Sequence, residues 1–351
     1  MLQRMSAYVI LIIAVALGFN FMNGFHDAAN AIATVIATRV LSPLKAVIWA
    51  AAFDFIAAIL AIKYSGKVAD TVGKIVNADA FASIQGEMYH ILFAALIGAI
   101  AWEVITWLLG LPVSASHALI GALAGSGLTA AWIRLHTLSG ILNWDKIEIT
   151  ALFIVLSPLI GLILGYIIMV LILNIFRNTN PHKIDKGFRV AQILSAGAYS
   201  LGHGANDAQK TMGIIAIVYF SAKYNVFAIP QGEEMPLWIG LACASTIALG
   251  TMSGGWKVIK TMGMGITKLK PVSAFAAESA GAIAILFATF LGIPVSTTHT
   301  ITGAIMGVGA THRSRAVRWG VAGRIVWAWI ITMPAAALMS AVVYGVAVLF
   351  A

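Results

Sequence analysis

Apolar runs long enough to cross a lipid bilayer follow one another along almost the whole chain. The clearest occupy residues 7–21, 46–62, 91–109, 118–133, 151–176, 237–249, 272–291 and 321–350. A helix needs about 20 mostly apolar residues to span the hydrocarbon. Only 10% of the 351 side chains are charged, against about 25% in soluble domains, too few to clothe a soluble surface. The chain reads as a polytopic membrane protein, which excludes a soluble enzyme, a nucleic-acid binder and a disordered polypeptide. The net charge of +9 is no sign of nucleic acid, because the basic residues cluster between apolar runs as the positive-inside rule describes. The runs are too long and uniform for the alternation of a membrane barrel. Shorter runs at 31–37, 190–201, 212–220 and 301–310 are interrupted by Gly and polar residues. The expected fold is all-α, with about 10–12 transmembrane or broken, re-entrant helices. The apolar start at 8–17 reads as a retained first helix, since no small-residue cleavage site follows it. The single Cys243 forms no internal disulfide.

A duplicated motif divides the chain. Residues 112–125 read PVSASHALIGALAG and residues 294–307 read PVSTTHTITGAIMG, with seven of fourteen positions identical. Upstream, Gly24-Phe25-His26-Asp27-Ala28 faces Gly204-Ala205-Asn206-Asp207-Ala208, and the Asp-to-Pro separations are 85 and 87 residues. A weaker echo pairs Lys67, Thr71 and Gly73 with Lys257, Thr261 and Gly263. Two repeats are expected, 1–176 and 190–351, joined by a basic cytoplasmic linker at 177–189. The basic stretches 257–270 and 313–324 are expected as cytoplasmic loops, with both termini on the outer side. Each half then crosses an odd number of times, and the repeats are inverted, as in secondary transporters that hold substrate near the midplane.

Asp27 and Asp207 each follow a Gly and a second polar residue between apolar runs. A carboxylate at membrane depth costs at least about 2.5–3.5 kcal/mol on insertion scales, which a bound cation or proton would offset. The bland alternative is a hydrated loop at the membrane edge. The P-V-S-x-[ST]-H segments suit helix starts: Pro fits the first turn, Ser and Thr cap, and free N–H groups with hydroxyls attract an anion. The donors are Ser114 and Ser116 in one copy, and Ser296, Thr297 and Thr298 in the other. Ordinary capping is the plain alternative for a single copy; the duplication favours a site. Gly121, Gly125, Gly303 and Gly307 allow helices to approach closely. A dianion beside two aspartates needs an accompanying cation, so the charges imply symport.

Further ionisable residues interrupt apolar runs: Asp54, Glu103, Lys210 and Glu278. Asp54 and Glu278 are candidate coupling-ion ligands or proton carriers. Lys210 lies one turn beyond Asp207, positioned for an ion pair with it or for lending charge to the anion; Asn30 takes its place in the first half. His117 and His299 are either titrating or simply hydrogen-bonded groups.

At these residues the chain resembles the inorganic phosphate transporter (PiT) family. The segment Asn23-Gly24-Phe25-His26-Asp27-Ala28-Ala29-Asn30-Ala31 is similar to its first signature, and His203-Gly204-Ala205-Asn206-Asp207-Ala208-Gln209-Lys210 to its second, in the form of bacterial low-affinity carriers. The resemblance implies inverted repeats with broken helices, a homodimer in the bacterial inner membrane, and phosphate moved with a cation. It assigns Asp27, Asn30, Asn206 and Asp207 to the ion region, with Na⁺ at Asp27 and Asp207 as one option, and Ser114, Ser116, Ser296, Thr297 and Thr298 to phosphate; Glu278 matches an acidic position that the family uses in phosphate transport. Asp54 and Glu278 are added to the coupling-ion candidates, and Gln209 and Lys210 to the phosphate candidates, from their own positions in the sequence. His26 and Lys210 depart from sodium-coupled members and are similar to bacterial carriers of neutral metal–phosphate complexes driven by protons. The coupling ion therefore stays open between H⁺ and Na⁺, with Mg²⁺ as a companion of phosphate. Neither a catalytic residue nor a resident cofactor is expected. The alternatives are a transporter of another tetrahedral oxyanion such as sulfate, an intramembrane aspartyl hydrolase using Asp27 and Asp207, and an anion channel.

Overall fold

The computed structural model describes residues 6–64, 67–84, 86–224, 227–230, 233–311 and 316–349. Among these, the chain folds as expected into helices: α1 (Ala7–Ala37), α2 (Pro43–Tyr64), α3 (Lys67–Gly73), α4 (Glu87–Leu109), α5 (Ala115–Arg134), α6 (Trp144–Ile175), α7 (Pro181–Tyr224), α8 (Leu237–Ser253), α9 (Trp256–Lys260), α10 (Pro271–Leu291), α11 (Thr297–Ala310) and α12 (Trp319–Leu349). Seven helices are long and apolar enough to cross a membrane, and α8 with the segment 256–265, bent by 59°, makes an eighth. Polarity is inside out. Leu152, Ile163, Phe287, Phe290 and Leu338 face outward, while Asp27, Asp54, His203, Asp207, Lys210 and Glu278 are buried. That arrangement suits a lipid surround and not water.

The second half repeats the element order of the first. A long helix carrying the Asp motif is followed by a helix, a short helix, two helices joined at the P-V-S segment, and a last long helix. The packing is reciprocal as well: α1 lies on α8 as α7 lies on α2, and α5 lies on α12 as α11 lies on α6. Glycines set these distances. A Cβ at Gly24 would sit 2.2 Å from the Ile247 carbonyl oxygen, and one at Gly204 would sit 2.5 Å from that of Asp54. The Gly before each Asp therefore serves a backbone-to-backbone crossing. Gly303 and Gly307 likewise press on the Pro158 and Leu162 carbonyls of α6, and Gly121 and Gly125 on α12.

The two breaks fall at the duplicated motif. Gly110 ends α4 with φ 65° and Gly292 ends α10 with φ 77°. At the first, Leu111 N–H bonds to Thr106 O at 2.9 Å and Gly110 N–H to Trp107 O at 3.0 Å; at the second, Ile293 N–H bonds to Ala288 O and Gly292 N–H to Thr289 O, both at 3.0 Å. Each is a left-handed glycine stop with its two paired carbonyls. Pro112 and Pro294 follow, and the next helix begins under a serine cap.

The Asp motifs lie within continuous helices, α1 and α7, and not in the hydrated loops of the plain alternative. Two expected loops need revision. The expected linker 177–189 is not an open loop: from Pro181 it forms the first turns of α7, held by an Asp185–Arg189 pair at 3.0 Å. Of the basic stretch 257–270, residues 257–265 are helical, while Arg313 and Arg315 lie outside the described residues. The Asp185–Arg189 pair supports the first turns of α7, whereas the Asp motifs and 261–265 are rich in poor helix formers and are held helical by close packing at Gly24, Gly204 and Gly263 against neighbouring backbone.

Two apolar cores flank the molecule's polar middle. Val9 to Phe19 of α1 belong to the first core, and Ala29 to Val35 to the second. In α7 the order is reversed, with Ala196 and Tyr199 in the second core and Ala208 to Phe220 in the first. Asp27 and Asp207 therefore lie where both long helices pass between cores.

Candidate functional site

The tips of the two hairpins, α4–α5 and α10–α11, meet at that passage. Ser116 Oγ donates to Val295 O at 3.3 Å, and Thr298 Oγ1 stands 3.0 Å from Val113 O. Ser116 and Thr298 hold the same place in the duplicated motif, as do Val113 and Val295, so each tip reaches the other's valine carbonyl. Trp329 of α12 donates to Pro112 O at 3.1 Å and stacks on His299, with centroids 3.9 Å apart. His117 and His299 face each other at 4.8 Å.

Asp27 is met by the start of α11. Its two carboxylate oxygens lie 3.1 Å from Thr298 Oγ1 and 3.2 Å from Thr297 Oγ1. The single Thr298 proton serves either Asp27 or Val113. Asn30, one turn on, donates to Thr298 Oγ1 at 2.9 Å and to Thr297 Oγ1 at 3.3 Å. Asp207 is paired with Lys210, whose ammonium also donates to Ser116 Oγ. The ion pair foreseen between Asp207 and Lys210 is therefore present, and the lysine simultaneously reaches the first hairpin tip.

Between the two aspartates stands His203. Its Nε2 lies 3.3 Å from Asp207 and 4.0 Å from Asp27, while Nδ1 is bonded to Asp54 at 2.9 Å. Thr251 donates to the other Asp54 oxygen at 2.7 Å. Asp54 thus orients an imidazole toward the aspartate pair. One ligand atom from each of Asp27, His203 and Asp207 falls within 4.8 Å of the others, a geometry that could hold a cation. The sequence left His203 without a role. The available signal was its position four residues before Asp207, matched by Asn23 before Asp27.

Other candidates stand apart. Ser114 and Ser296 use their hydroxyls as helix caps, accepting the His117 N–H at 3.3 Å and the His299 N–H at 3.1 Å. Asn206 turns to the end of α10, donating to Thr289 Oγ1 at 2.8 Å and Ile293 O at 3.3 Å. Gln209 donates to Ala205 O of its own helix at 2.7 Å, and among the described residues its amide makes no hydrogen bond to either tip. Glu278 occupies a second polar cluster, accepting from Thr34 at 2.7 Å, from Gln192 at 3.1 Å and from Ser195. That cluster connects to the first along α1, on which Thr34 lies about two turns beyond Asp27.

Known proteins resemble this chain in sequence and in fold. Residues 23–340 match the model of the phosphate transporter family. A Rhizobium meliloti protein named "Probable low-affinity inorganic phosphate transporter" is 51% identical over 97% of this chain and 96% of its own length. A Bacillus subtilis protein of the same name is 44% identical over 95% and 96%. A solved structure, "The sodium-dependent phosphate transporter", superposes with a TM-score of 0.87 at 26% identity, covering 99% of this chain and 100% of that one. The match spans both Asp motifs and both hairpin tips: the chain belongs to the phosphate transporter family.

Proposed function

We propose that the protein is a secondary active transporter carrying inorganic phosphate together with a cation, H⁺ or Na⁺, by movement of two inverted repeats against each other. The observation that carries this reading is the convergence of both hairpin tips on Asp27 and Asp207. The tips offer helix starts and hydroxyls to an oxyanion. The aspartates and His203 offer a cation site beside it, and the cation cancels the repulsion between phosphate and carboxylates. The reciprocal packing of α1 on α8 and α7 on α2 supports opposed halves, with substrate handled where they meet. The homodimeric state and the bacterial inner membrane, with both termini outside, complete the reading.

The relatives' names support phosphate over sulfate as the substrate, and the duplicated tips leave an aspartyl hydrolase without a use for them. The test is ³²P-phosphate uptake into proteoliposomes with imposed Na⁺ or H⁺ gradients, with and without Mg²⁺. Accumulation above equilibrium, driven by one gradient and competed weakly by sulfate, is the expected result. Uptake at channel rates with no dependence on a cation gradient would overturn symport.

A further inference from the structure

The two Asp motifs are equivalent in place but not in charge. Three residues after Asp27 comes Asn30, and three after Asp207 comes Lys210. Both side chains reach toward the opposite hairpin tip. Asn30 donates to Thr297 and Thr298 through a neutral amide. Lys210 is fully buried, and its ammonium touches three oxygens: the Asp207 carboxylate, the Ser116 hydroxyl and, at 3.4 Å, the Val295 carbonyl. A carboxylate, a hydroxyl and the carbonyl of an unwound helix end are the donor set that transporters offer to a mobile alkali cation. In the first half the equivalent atoms are the Asp27 carboxylate, Thr298 Oγ1 and Val113 O. They lie together, with the Thr298 hydroxyl 3.1 and 3.0 Å from the other two, and among the described residues no lysine bonds to them.

We propose that Lys210 is a tethered cation: its ammonium fills, in the second half, the position that a mobile co-ion would take beside Asp207. The inference rests on the symport reading above and sharpens it. A tethered charge neutralises Asp207 in every state of the cycle and returns with the empty carrier, so it contributes nothing to the charge moved per phosphate. Of the two motif aspartates only Asp27, with His26 at 3.5 Å and His203 at 4.0 Å and no lysine bonded to it, remains to recruit a travelling cation. Lys210→Asn, which installs the side chain found at the matching Asn30, opens the second position. That variant should carry one more positive charge with each phosphate than the wild type. The difference of one holds whatever the total charge of the site and whichever cation is used.

The experiment compares wild type, Lys210→Asn and Lys210→Arg in proteoliposomes whose membrane potential is set by K⁺ and valinomycin. The steepness with which phosphate accumulation responds to potential gives the charge per phosphate. The expected result is an increase of one charge in Lys210→Asn and none in Lys210→Arg. Equal charge in wild type and Lys210→Asn overturns the proposal. Should Lys210→Asn be transport-dead, the count is taken at equilibrium on purified protein with saturating phosphate, as ²²Na⁺ bound plus protons taken up per chain. One additional cation in Lys210→Asn supports the tethered charge, and an unchanged count refutes it. If the wild type itself accumulates no phosphate, the transport reading fails, while the equilibrium count still decides the role of Lys210.

Discussion

Thr298 stands 3.0 Å from the carbonyl of Val113, a residue 185 positions earlier in the chain, and Ser116 returns the contact by donating to Val295 at 3.3 Å. These hydroxyls are shared between two tasks. Each joins one tip to the other, and each also meets a site side chain, Asp27 for Thr298 and Lys210 for Ser116. Removing the Thr298 hydroxyl leaves the buried Val113 carbonyl without that partner, at about 1–3 kcal/mol, and removing the Ser116 hydroxyl leaves the Val295 carbonyl to Lys210 alone; either change loosens one side of the site. Ser116→Ala and Thr298→Ala should each lower ³²P-phosphate uptake at least tenfold. The double variant should abolish uptake while keeping wild-type abundance in the membrane. Uptake by the double variant near the wild-type level would show that the tips do not handle the anion.

The Asp54–His203 bond makes a second prediction. Asp54 touches neither Asp27 nor Asp207 in any described contact; it acts on them through the imidazole it orients. Residues that act through one another are non-additive. His203→Gln should lower uptake strongly, Asp54→Asn somewhat less, and Asp54→Asn/His203→Gln no further than His203→Gln alone. The measurement is initial uptake rate normalised to protein in the vesicles. Losses that multiply would place the two residues in separate tasks.

Close helix contacts predict a stability contrast. A Cβ at Gly303 would meet the Pro158 carbonyl oxygen at 2.0 Å, whereas Gly345 has nothing within 4 Å. Backbone cannot yield as a flexible side chain does, so overpacking of about 1–3 kcal/mol or more is expected at Gly303. Gly303→Ala should lower the thermal midpoint of detergent-purified protein by several degrees or prevent its recovery. Gly345→Ala should leave the midpoint unchanged, and equal midpoints for the two would contradict the packing of α11 on α6.

Much of this site could be read from residue order, and the limits of that reading are physical. A Pro-Val-Ser run favours a helix start, and its duplication points to two tips. Spacing along one helix also gave the Asp207–Lys210 pair. Partners on different helices were another matter. That His203 would face both aspartates depends on the crossing of α7 with α2 at Gly204. That Glu278 would join Thr34, Gln192 and Ser195 instead of Asp27 depends on how α10 lies against α7. Ser114 and Ser296 show why a capping hydroxyl and an anion-binding hydroxyl have the same sequence signature: each oxygen accepts the His117 or His299 amide N–H, while its own O–H proton is still available to an anion.

The weak echo around Lys67 and Lys257 also finds its purpose in three dimensions. Lys67 donates to Phe290 O at 3.3 Å and Thr71 to Gly292 O at 3.0 Å, at the end of α10. Lys257 donates to Leu108 O at 3.3 Å and Thr261 to Gly110 O at 2.8 Å, at the end of α4. Each half thus holds the other half's hairpin just before its tip, placing a cation and a hydroxyl on the unpaired carbonyls of a helix C-terminus. Such bonds contribute about 0.5–1.5 kcal/mol each, enough to steady a tip without fixing it through a transport cycle. Thr261→Val should therefore free the first tip. A reporter cysteine at Leu111, half-buried beside Gly110, should react with a maleimide several-fold faster in Thr261→Val/Leu111→Cys than in Leu111→Cys alone. The native Cys243 is fully buried and should give little background. Thr71→Val should leave labelling at Leu111 unchanged and speed it at a cysteine replacing Ile293. Equal rates in all backgrounds would mean that the tips are held by their own turns and not by the opposite half.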